Sequence, residues 1–193
     1  MKPVDPVGQP GEVRLTFSRL ADRRPVETVV ERDDGVVFAM RGAGGGSDLP
    51  HDLVHALVET ELGMADGIWG CVADGVVWGS MRHVSGRQPP HAAERSARLK
   101  RERAAAIQRA EGVADLVARS ARGAQVLPGE AAGLGLPPDR LAAAADALAD
   151  AGRRWRALPV GETWTLDWRP LVSSRGRPPA PPASRPRGRR RGR

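Results

Sequence analysis

The chain has 193 residues, about one domain's worth, and its 40% apolar and 27% charged content is ordinary for a globular protein. No apolar run reaches the roughly 18 residues that span a bilayer, and the opening MKPVDPVGQPGEV lacks the basic and apolar regions of a signal peptide, so a cytoplasmic protein with no membrane partner is expected. The net charge of +7 is uneven: residues 169–193 hold nine arginines and no acid, which leaves the other 168 residues at −2 and assigns any attraction to polyanions to the tail.

Residues 1–10, with three prolines, read as a flexible leader, residues 11–168 as a single domain, and residues 169–193 as a disordered Arg/Pro-rich tail. In EVRLTFSRL, Val13, Leu15 and Phe17 alternate with Arg14 and Thr16, the period of a half-buried strand. Runs at 26–31 and 36–40 flank Asp33, Asp34 and Gly35, and Asp-Gly between β-branched residues signals a hairpin. After GAGGG at 42–46, a helix is expected over about 49–62, capped by Ser47 or Asp48 and ended by Gly63, with Leu53, Val54, Leu57, Val58 and Leu62 facing inward.

Residues 65–81 contain a near-repeat, ADGIWG then ADGVVWG, read as helix from the spacing of Trp69, Val72 and Val76, although the Asp-Gly pairs also suit short strands. The Ala/Arg/Glu-rich stretch at 91–121 reads as the longest helix, and a helix from Asp139 to about 151 follows a Gly/Pro-rich connector. ETWTLDW alternates again, so Trp164, Leu166 and Trp168 belong to a closing strand beside the first ones. The fold expected is α+β: a small antiparallel sheet, made of the N-terminal meander and the C-terminal strand, packed with three to five helices. The tryptophans read as core, and Cys71, the single cysteine, as a buried inert thiol.

Two segments carry possible chemistry. In LPHDLVHALVETELG, His51, His55 and Glu59 follow at intervals of four and form one helical stripe, on which two imidazoles can close on one divalent metal. HDLVH resembles the HExxH helix of zinc metalloproteases. The resemblance implies that His51 and His55 bind the metal and that Asp52, one methylene shorter than the family's glutamate, stands where the water-activating base stands. His83, His91 and Glu94 are candidates for a distant third ligand, and the extra spaced His and Asp residues of an HD-type phosphohydrolase are not found. Without a metal, the same residues read as packed histidines and a carboxylate at a helix N-terminus. The longer pattern, LPHDxxHxxVExxLG followed by GxWGxxAxG, resembles uncharacterised small proteins of high-GC bacteria and implies no activity.

In the tail, Arg175-Gly-Arg177-Pro and Arg185-Pro-Arg187-Gly-Arg189-Arg190 resemble the AT-hook, whose extended Arg-Gly-Arg lies in the minor groove of A·T tracts. With Arg191 and Arg193 they form the candidate nucleic-acid-binding set, for DNA or RNA, and no aromatics interleave to stack on single strands. The function expected from sequence is a non-enzymatic accessory or regulatory protein that touches nucleic acid through this tail and carries no cofactor. The alternative is a protein that holds one divalent metal such as zinc on the HDxxH helix, either binding it alone or using it for hydrolysis.

Overall fold

The alternating segments pair with one another and define the inner wall of the molecule. A computed structural model describes residues 11–21, 26–42 and 46–170. In chain order it contains strands β1 (Val13–Ser18), β2 (Glu27–Arg32) and β3 (Val37–Arg41), helices α1 (His51–Leu62) and α2 (Ile68–Ala73), and strand β4 (Met81–Ser85). Helices α3 (Ala92–Glu102), α4 (Ala104–Ala121), α5 (Pro128–Gly133) and α6 (Pro138–Ala157) follow, and strand β5 (Thr163–Trp168) closes the set. The fold is α+β, one domain in which an antiparallel sheet of order β4-β3-β2-β1-β5 is packed with helices.

The register sets which side chains meet. Leu15 lies opposite both Val30 and Leu166, and Phe17 opposite Thr28 and Trp164, so apart from Thr28 these positions make one face of the sheet apolar across β2, β1 and β5. Val13, Leu15 and Phe17 are fully buried there, each worth roughly 1.5–3 kcal/mol relative to exposure. The opposite face is polar on β1 and β5, with Arg14 paired to Asp167 at 2.8 Å across strands. The closing strand takes the place expected of it, hydrogen-bonded to β1 along its whole length.

Two apolar clusters fill the interior. The first packs the sheet against Leu53 and Ala56 of α1, Trp69 and Val72 of α2, and Ala151 and Trp155 of α6. The second joins Val58 of α1 to Val113, Leu116 and Val117 of α4, Leu136 in the loop after α5, and Leu141 and Leu148 of α6. Helix α1 contributes to both, so it is buried over more of its circumference than a surface helix. His55 and Glu59, polar members of the stripe on this helix, are each 1% exposed.

Several boundaries differ from the sequence reading for identifiable reasons. Neither Ser47 nor Asp48 caps α1; Pro50 occupies the N-cap without a side-chain hydrogen bond. Gly63 does end that helix, in the left-handed conformation at φ 65°. Within 65–81 only α2 is helical: Gly75, at φ 105°, turns the chain, Val76 is buried beyond the helix, and β4 begins at Met81. The long helix over 91–121 breaks at Arg103, whose backbone leaves helical geometry and whose side chain reaches Asp74 at 2.5 Å. Helix α6 starts at Pro138, with Asp139 in its first turn, and runs past the expected end at about 151 through Gly152 to Ala157. There Gly152 is buried and Trp155 is wholly enclosed, packing that outweighs the ~1 kcal/mol cost of a helical glycine.

Candidate metal centre

Helix α1 presents its first two turns to α4, and three donor groups meet where they touch. The rings of His51 and His55 stand edge to face with centroids 4.6 Å apart, the consequence of an interval of four on one helix. Glu111 of α4 completes the group: its Oε2 lies 3.2 Å from His55 Nε2 and 3.8 Å from His51 Nε2. Donor atoms of these three residues all fall within 4.8 Å of one another. His55 is held rigidly in the interior, whereas the His51 and Glu111 side chains are about half exposed and open the cluster to solvent on one side.

Glu59 has a different task. Its carboxylate accepts the Ile68 N–H at 2.7 Å and the Trp69 N–H at 3.0 Å, so it caps the N-terminus of α2 from the neighbouring helix. A side chain at Gly67 would collide with it, since a Cβ there would lie 2.5 Å from Glu59 Cδ. The same carboxylate is 3.7 Å from His55 Nδ1, on the ring edge facing away from Glu111, and Nδ1 has no hydrogen-bond partner among the described residues. Both nitrogens of one buried imidazole therefore face a carboxylate.

Asp52 is not part of the convergent trio. Its side chain is wedged against Gly42, where a Cβ would be 2.2 Å from Asp52 Oδ2, and that oxygen is buried without a hydrogen-bond partner among the described residues. Its backbone carbonyl accepts the indole N–H of Trp69 at 3.1 Å, which ties α1 to α2. The Asp52 carboxylate, 3.9 Å from His51 Nδ1, is the largest influence on that imidazole; together with Glu111 it raises the His51 pKa against the lowering effect of partial burial.

The other sequence candidates lie elsewhere. His83 sits on β4, bonded to the Gly86 carbonyl at 2.9 Å and edge-on to Phe38, and His91 pairs with Glu94 at 2.8 Å on an exposed surface at the start of α3. Cys71 is buried, and its burial raises the thiol pKa, the state of an unreactive cysteine. Trp69, Trp155, Trp164 and Trp168 are core residues, while Trp78 is partly covered and carries Lys100 over its ring at 5.3 Å. In the basic half of α3, Arg98 pairs with Glu102 at 3.6 Å, so the positive charge there is partly neutralised. Arg175, Arg177, Arg185, Arg187, Arg189, Arg190, Arg191 and Arg193 lie outside the described residues.

Glu111 is the member of the cluster that the sequence did not offer. It is an ordinary acid between Ala110 and Gly112, and only the docking of α4 on α1 selects it over Asp115, the other acid of that helix. No family model matches the chain, and no similar protein is found among curated proteins or solved structures.

Proposed function

We propose that the protein is a metal-binding accessory protein whose divalent cation is held by His51, His55 and Glu111. The observation that carries this reading is the convergence of two imidazoles and a carboxylate from two helices, with His55 Nε2 and Glu111 Oε2 3.2 Å apart. Ligand atoms around tetrahedral zinc are separated by about 3.3 Å, given Zn–N and Zn–O distances near 2.0–2.1 Å. The remaining gap closes by rotation of His51 and Glu111, both half exposed. Two nitrogens and one oxygen suit zinc, with the open side left for water.

The buried imidazole supplies a second argument. A neutral ring has one N–H: on Nε2 it donates to Glu111 Oε2, 3.2 Å away, whereas on Nδ1 it has no acceptor within hydrogen-bond reach among the described residues, Glu59 being 3.7 Å away. Metal binding needs the second state, in which the Nε2 lone pair faces Glu111 Oε2 directly and a cation between them would resolve the repulsion. Asp52 packs one oxygen on Gly42 and sets the other beside His51 Nδ1, outside the group of converging donor atoms, so the centre is read as structural or regulatory and not as hydrolytic.

Elemental analysis of the purified, tag-free chain tests the proposal. About one equivalent of zinc or another divalent ion is expected, lost in His55→Ala and in Glu111→Gln. Substoichiometric metal, together with ¹⁵N chemical shifts that show His55 carrying two protons, would mean that an imidazolium bridges the two carboxylates and would overturn it.

A second reading rests on charge. Arg169 is tied to Glu12 at 2.8 Å, which leaves eight arginines and no acid beyond Pro170. That segment is proposed to contact DNA or RNA phosphates. A mobility shift that compares the full chain with one ending at Pro170 tests it, equal behaviour of the two counting against it.

A further inference from the structure

A second concave site lies where α1, α4 and α6 meet, and it does not depend on the metal reading. The groove encloses about 650 Å³, within the range of small-molecule sites. Its floor is apolar: Leu49 and Val54 beside α4, and Leu148 on α6. Gly152 adds no side chain to that floor, and a Cβ there would meet Arg156 Nη1 at 3.4 Å and Leu49 Cδ1 at 3.8 Å, ordinary contact distances.

The rim is basic. Arg122 at the end of α4 and Arg153 and Arg156 on α6 all line the groove. Arg153 is engaged by Asp150, three residues before it. Neither Arg122 nor Arg156 has an acidic partner among the described residues, and Asp48 is the one acid in the lining, so positive charge is in excess. Residues 171–193 carry the same sign of charge and are not a complementary occupant. An apolar floor alone, reached through the half-buried Leu49 and Val54, would suit a neutral ligand or another protein. The same floor under two unmatched guanidiniums suits a molecule that is apolar along its body and anionic at its head, since guanidinium binds carboxylate through paired, charge-assisted hydrogen bonds.

We propose that this groove binds an acyl carboxylate, with the chain on Leu49, Val54 and Leu148 and the head between Arg122 and Arg156. It is separate from the histidine cluster: Ala118 in its wall is two turns further along α4 than Glu111, about 10 Å.

The test uses the ¹⁵N-labelled full chain and three probes: octanoate, 1-octanol as its uncharged counterpart, and inorganic phosphate as a charge without an apolar body. Octanoate is expected to shift the backbone amides of Ala118, Ala121, Leu148 and Gly152 in a saturable way, with 1-octanol and phosphate at least about tenfold weaker at those amides. Arg122→Gln with Arg156→Gln should weaken octanoate by about tenfold or more, and both positions are exposed, so the double variant should retain its fold. Equal affinity for 1-octanol would leave only an apolar groove. Equal affinity for phosphate, shifts confined to residues 171–193, or an unaffected double variant would leave only general attraction to anions. Any of these results overturns the proposal.

Discussion

Among single residues, Glu59 and Glu111 divide two tasks that look identical in sequence. Both are glutamates next to His55, but one is 1% exposed and bonded to two backbone N–H groups, and the other is half exposed and faces the imidazoles. Glu59→Ala leaves the Ile68 and Trp69 N–H groups unsatisfied in the interior, and a loss of about 1.5–3 kcal/mol is expected in urea denaturation without metal. Glu111→Gln should cost well under 1 kcal/mol under the same conditions and act on metal content instead. If Glu59→Ala unfolds like the parent chain, α2 is held without that cap. Asp52→Asn, whose side chain packs on Gly42, should keep the metal while altering stability.

At the scale of elements, the hairpin between β2 and β3 depends on the Asp34 carboxylate. Burial alone would push Asp34 up, but the guanidinium of Arg32 and the N–H of Val36, 3.1 Å away, hold it below the usual carboxylate range. A depressed folded pKa stabilises the protein above the unfolded value, near 3.9, and that contribution fades as pH falls through the folded pKa. Asp34→Asn should therefore be less stable than the parent at pH 6 and should approach it at pH 3, as read by urea midpoints. Strand β4 rests on a different device. Gly86, at φ 84°, packs so closely that a Cβ would sit 2.2 Å from the Gly35 carbonyl oxygen. Gly86→Ala meets backbone on both counts and should cost about 1–3 kcal/mol in the same assay. These two elements also mark what the sequence could reveal. The hairpin was legible because alternation and Asp-Gly are local signals. Strand β4 was not: four of its five residues are exposed, and among the described residues it pairs with β3 alone at the sheet edge, so it has no apolar alternation to read. The histidine pair was legible for the same local reason, and Glu111, brought in by helix packing 56 residues away from His55, was not.

At the scale of the whole molecule, α1 joins two apolar clusters, and the tryptophans report on only one of them. All five belong to or pack against the cluster under the sheet, and none to the cluster among α1, α4, α5 and α6. If the shared helix couples the two, tryptophan fluorescence and far-ultraviolet circular dichroism should give coincident urea transitions, in the parent and in Leu53→Ala, which should lose about 2–5 kcal/mol. Separate transitions would mean that the helices survive loss of the sheet core. The charge distribution leads to the last expectation. Residues 1–168 sum to −2, and Arg169 is fixed on Glu12, so phosphate contacts would fall to the eight arginines from Arg175 to Arg193. Each phosphate neutralised on duplex DNA releases about 0.9 counterion, so full engagement of the eight sets a limiting slope of roughly −7 for log K against log salt. Measured between low and moderate salt, the full chain should show a steep slope within that limit, and a chain ending at Pro170 should show little binding to steepen. A slope near −1 for the full chain would mean that one or two arginines touch phosphate at a time, and binding retained by the shortened chain would move the contact onto the domain, where net charge gives no reason for it.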